Sequence, residues 1–154
     1  ALELIKHPDS ERAAPSMHAE YLSTRALILA ASGYSEAAIE AASAAERISA
    51  VVEGRVLAKA ARAVLSADQD DRGIVAELWG LADALGVWDP VIAACRVSPE
   101  LAKALLQLEG AKPRLAILYR GSNDHALARR APQRRSLPPD QSRTPTATAM
   151  TTTP

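Results

Sequence analysis

Leu22-Ser23-Thr24-Arg25-Ala26-Leu27-Ile28-Leu29-Ala30-Ala31-Ser32-Gly33-Tyr34-Ser35-Glu36-Ala37-Ala38 reads as a helix, a tight turn and the start of a second helix. Leu22, Ala26, Leu29 and Ala30 fall at helical spacing, Gly33 supplies the stop, and Ser35 offers an N-cap for the second helix. That second helix carries Ile39, Ala42, Ala45 and Ile48. So short a connection, Gly33-Tyr34-Ser35, makes the two helices antiparallel neighbours. Thirty-five residues on, Leu57, Ala61, Val64, Gly73 and Gly80 echo the residue class of Leu22, Ala26, Leu29, Ala38 and Ala45. A period in this range marks stacked helical hairpins, in which each unit leaves an apolar face for its neighbour.

The second hairpin is expected over 52–85, after a first over 15–49 that opens at Pro15. Asp68-Gln69-Asp70-Asp71 makes its turn, Asp70 or Asp71 caps the next helix, and Ile74, Leu78, Leu81 and Leu85 form an apolar stripe ended by Gly86. Gly73 and Gly80 each cost about 1 kcal/mol against alanine in an exposed helix. Their place in the echo predicts that they are pressed against a neighbouring helix. Beyond Gly86 the 35-residue register is expected to fail. Asp89-Pro90 and Ser98-Pro99 open short helices near 90–96 and 99–109, Pro113 opens another, and Asn123 or Asp124 caps a last turn. Such shortened helices suit a closing unit. The expected fold is therefore all-α: antiparallel helical hairpins stacked as a short tetratricopeptide-like array.

Composition agrees. Ala and Leu carry the apolar surface, Phe is absent, and only five aromatic residues occur in 154. Helices bearing small side chains approach closely, and Val and Ile show no period-2 runs. Three segments are expected: a lead-in over 1–14 that reads as the end of a preceding helix, the helical-repeat domain over 15–130, and a disordered tail over 131–154. The tail holds five prolines and many threonines, too little apolar surface to offset its ordering entropy.

Formal net charge is zero, so the chain as a whole is not steered to nucleic acid or anionic membranes. The single cysteine, Cys95, allows no internal disulfide and suits a reducing cytoplasm; it is expected to be a buried structural thiol. No membrane span or signal-peptide layout is expected. His7, His18 and His125 fall in no metal-ligand spacing, and the acidic turn at 68–71 lacks the ordering of a calcium loop. Gly110-Ala111-Lys112 lacks the strand and glycine spacing of a phosphate loop. No catalytic residue, cofactor or metal is therefore expected. Trp79 and Trp88 are the candidate partner-binding residues: core packing is the default, and the functional reading is an aromatic anchor on the concave face. Arg129, Arg130, Arg134 and Arg135 read as a solvated linker with weak phosphate contacts at most.

Four stretches carry a family resemblance. They are Leu27-Ile28-Leu29-Ala30-Ala31-Ser32-Gly33-Tyr34-Ser35-Glu36-Ala37-Ala38, then Arg55-Val56-Leu57-Ala58-Lys59-Ala60-Ala61-Arg62-Ala63-Val64-Leu65. The third and most specific is Asp89-Pro90-Val91-Ile92-Ala93-Ala94-Cys95-Arg96-Val97-Ser98-Pro99-Glu100-Leu101. The last is Leu118-Tyr119-Arg120-Gly121-Ser122-Asn123-Asp124-His125-Ala126-Leu127-Ala128-Arg129. Together they resemble the helical-repeat arm that precedes the DNA-binding domain in LuxR-type, MalT-like bacterial transcriptional regulators. The resemblance implies a coupling arm that takes a protein partner or small effector and passes the signal to a DNA-binding end. It departs after Arg130, where Pro132 to Pro139 and the threonine-rich stretch show no helix-turn-helix pattern. Specific DNA binding by this chain alone is not expected. The alternative is a free-standing tetratricopeptide-like scaffold with no transcriptional role.

Overall fold

The computed structural model describes residues 14–48, 51–67, 69 and 71–129. Every regular element among them is a helix: α1 (Pro15–Ala31), α2 (Ser35–Ile48), α3 (Val52–Ala67), α4 (Arg72–Leu85), α5 (Asp89–Val97), α6 (Pro99–Leu105), α7 (Ala111–Gly121) and α8 (His125–Ala128). Residues 1–13 of the expected lead-in and the tail expected over 131–154 lie outside the described residues, as do Asp68, Asp70 and Arg130.

Three turns share one closing device. Gly33, Gly86 and Asn123 adopt left-handed φ angles of 81°, 69° and 56°. In each, the next residue's N–H reaches back five residues: Tyr34 to the Leu29 carbonyl, Val87 to Ala82, and Asp124 to Tyr119. This caps the helix C-terminus and reverses the chain at once. Asp71 caps α4 as expected, its Oδ1 accepting from Gly73 N at 2.9 Å. Ser35, expected as an N-cap, is instead the first residue of α2; the Tyr34 carbonyl accepts the first helical bond, from Ala38 N at 2.9 Å.

The repeat is longer than the echo suggested. Helix starts move from Pro15 to Val52 and from Ser35 to Arg72, 37 residues in both cases, and from Val52 to Asp89, again 37. Buried positions follow this register: Ala38, Ala41 and Ala45 of α2 correspond to Val75, Leu78 and Ala82 of α4. A two-residue error rotates a helix by about 200° and exchanges its inner and outer faces. That is why Gly73 and Gly80 are exposed rather than pressed against a neighbour. A methyl group at Gly80 would meet nothing within 4 Å. The buried stripe of α4 is likewise Val75–Leu78–Ala82; Ile74 and Leu81 are half-buried and Leu85 is exposed.

The third unit starts on register and then departs. Residues 89–105 match the 17-residue length of α1 but divide at Ser98, which is extended (φ −129°, ψ 100°). A residue before proline is pushed out of the α region. Ser98 then caps α6, its Oγ accepting from Leu101 N at 3.1 Å. α6 stops at Leu105, short of the expected 109, and a turn leads to left-handed Gly110 ahead of α7. The first helices of successive units pack in series, α1 on α3 and α3 on α5, while α3 also touches α2 and α4, and α4 touches α6. The fold is thus an all-α stack of helical hairpins whose last unit is broken.

Because Gly80 is helical, exposed and unobstructed, Gly80→Ala should raise unfolding free energy by about 0.5–1 kcal/mol in urea titrations. Destabilisation would instead show that the position is packed.

Candidate functional site

A cleft with a volume of about 240 Å³ lies on the first-helix face of the stack. Glu20, Ser23 and Thr24 of α1 form one wall, and Val51, Glu53, Gly54 and Leu57 at the start of α3 form the other. Pro90 of α5 closes the end. Glu20 and Leu57 stand 37 residues apart, and so do Glu53 and Pro90. Equivalent positions of consecutive units therefore line the cleft, and the repeat itself builds it. Ser23 is buried and donates from Oγ to the Glu20 carbonyl at 3.0 Å. Neither the Glu20 nor the Glu53 carboxylate makes an ion pair among the described residues.

Trp79 and Trp88, singled out from the sequence, come together elsewhere. Their rings meet edge-on, centroids 4.9 Å apart and planes at 62°. Trp88 is 8% exposed and belongs to the core, with Trp79 packed against it half-buried. The Arg114 guanidinium of α7 lies 5.2 Å from the Trp88 ring centroid and 3.7 Å from Asp83 Oδ1. The pair joins α4, the α4–α5 turn and α7, and neither ring lines the cleft. The sequence placed Trp88 on a turn but held no sign of Arg114 as its cover.

Cys95 is buried against Tyr119 in the third unit. The two side chains interact, yet the contact falls short of full hydrogen-bond geometry and Tyr119 Oη has no other partner among the described residues. Burial pushes the Cys95 thiol up to about 11, the Tyr119 contact lowers it slightly and Asp124 raises it. Burial first, then Cys95 and Asp124, also pushes the Tyr119 hydroxyl up. A thiol so held stays protonated and is a weak nucleophile. Beside it, Arg96 Nε donates to Asp124 Oδ2 at 2.7 Å and ties α5 to the cap of α8.

No family model matches the chain, and neither does any curated protein or solved structure. Among the described residues, no group of three or more His, Cys, Asp or Glu is placed to hold a metal ion. Nor is any described helix long and apolar enough to cross a membrane.

Trp88→Ala should cost about 3–5 kcal/mol of unfolding free energy, as a large cavity opens at the α4–α5 turn beside Trp79. Arg114→Ala should cost under about 1 kcal/mol, since the guanidinium is half-exposed. Equal losses would show that the cation, and not the ring, carries the junction. The raised thiol gives a second expectation. Stability is complete below pH 9.0, the thiol's ordinary value, and falls as pH climbs towards about 11, because the unfolded chain ionises first. Cys95→Ala should remove about 2 kcal/mol of that loss in denaturation at pH 8 and 11, leaving the share of Tyr119. An unchanged pH dependence in the variant would contradict the assignment.

Proposed function

We propose that this chain is a regulatory or coupling helical-repeat segment of a LuxR-type bacterial transcriptional regulator, working in the cytoplasm by protein or effector binding. The observation that carries the binding part is the cleft across α1, α3 and α5, lined by equivalent positions of consecutive units. A partner seated there touches three units at once and so acts on the angles between them. Pro90 at the cleft end is two residues from Trp88, which packs on Trp79 and under Arg114. That contact route supports coupling from the first-helix face to α4 and α7, since packed side chains resist continuous deformation. The four sequence stretches between Leu27 and Arg129 support the transcriptional part.

The transcriptional part is tested by the coding DNA on either side. The resembled family often carries an ATP-binding switch domain ahead of this arm, so a phosphate-binding loop encoded upstream, or a helix-turn-helix pattern downstream in any of the three frames, is the expected result. Their absence in every frame would overturn that part and favour a free-standing scaffold using the same cleft.

A further inference from the structure

We infer that the cleft between α1 and α3 takes a basic anchor: a lysine or arginine side chain presented by a protein partner, with an apolar residue beside it. This deepens the binding role proposed above and rests on it. Three observations carry the inference. The first is size. At about 240 Å³ the cleft is smaller than the about 300–1,000 Å³ clefts that take drug-sized ligands. It suits a protruding side chain better than a whole effector.

The second is charge. Glu20 from α1 and Glu53 from α3 stand on opposite walls, and neither has a cationic partner among the described residues. Three carboxylates elsewhere are paired between helices: Glu77 with Lys59 at 2.9 Å, Glu46 with Arg62 at 3.3 Å, and Asp124 with Arg96 at 2.7 Å. The cleft thus brings two carboxylates without an ion pair among the described residues to one lining. Glu53 lies in the first turn of α3, where the helix's positive end offsets part of its charge. Glu20 lies well inside α1 and keeps its full attraction for a cation.

The third is the apolar lining. Val51, Leu57 and Pro90 stand among the remaining lining residues, beside Ser23, Thr24 and Gly54. Lysine and arginine bury an aliphatic stem while their charged head stays with polar groups, so one such side chain satisfies both halves of the cleft. The repeat accounts for the site falling here and not one unit on. The equivalents of Glu20 and Glu53 are Leu57 and Pro90, so each step to the next unit changes acid to apolar. Acid and apolar residues at equivalent positions therefore meet across a single seam.

The test uses the full chain labelled with nitrogen-15, followed by amide NMR shifts. It is titrated with acetyl-Gly-Leu-Arg-Leu-Gly-amide and with the same peptide carrying glutamate for arginine. The arginine peptide should perturb Thr24, Gly54 and Leu57 and bind about tenfold more tightly than the glutamate peptide, a preference that shrinks with added salt. In the Glu20→Gln, Glu53→Gln double variant the preference should fall below about twofold, with an unchanged helical spectrum. Equal or tighter binding of the glutamate peptide in the cleft would overturn the basic anchor while leaving a binding role intact. Perturbations confined to the Trp79, Trp88 and Arg114 surface would overturn it too, and would move the binding role there. Silence with both peptides at millimolar concentration would also overturn it; the transcriptional reading would still stand or fall on the flanking coding DNA.

Discussion

Everything in this fold depends on how closely other helices approach α3. Its buried residues are Gly54, Val56, Ala58, Ala60, Ala61, Ala63, Val64 and Ser66, which spread around most of its circumference. It touches α1, α2, α4, α5 and α6. A helix enclosed on so many sides is compatible only with small side chains, because interiors are packed near crystal density and an added methylene forces its neighbours apart. The alanine-rich composition is the direct consequence. Polar groups are handled at the margins of that contact. Arg62 reaches across to Ser43 at 2.7 Å and to Glu46, and Lys59 reaches Glu77, so the long cations sit at the edges of α3.

The third unit is held differently. Its first helix is cut at Ser98-Pro99, and the packing that would fall to one straight helix is shared by α5 and α6. Larger side chains then fill the space: Leu101, Leu105, Leu115 and Tyr119 are all fully buried there. The Trp79–Trp88 contact, with Arg114 above it, seals the junction to the second unit. The stack therefore passes from alanine contacts at one end to aromatic and leucine contacts at the other. The cleft lies towards the first of these ends, where α1 meets the start of α3.

The elements themselves were legible in the sequence because their signals are local. Glycine stops at 33 and 86, the Asp71 and Ser98 caps, and the prolines at 15, 90 and 99 act within one turn of chain, and the helices they open or close begin and end within two residues of them. The residue-class echo nevertheless misread the register. Matching Ala38 with Gly73 compares residue class, and an alanine-rich helix offers a small residue at almost any offset. The helix starts expected at Pro15 and residue 52 already stand 37 residues apart, so the boundaries carried the longer period that matching by residue class missed. The stripe through Ile74, Leu81 and Leu85 failed for the same reason. Periodicity finds an apolar face, and the neighbours decide which edge of it is covered.

The sequence by itself determined that the chain is helical, that its helices pair through tight turns, and that alanine and leucine carry most of the apolar surface that holds them. These follow from propensity, capping and side-chain size, which each residue carries wherever it stands. Tertiary structure alone decided which face of each helix is covered, and the enclosure of α3. It also decided the meeting of Trp88 with Arg114 and the gathering of Glu20, Glu53, Leu57 and Pro90 around one cleft. Those are facts about which side chains from distant segments end up within a few ångströms of one another. Close packing settles them, and the spacing along one chain does not record it.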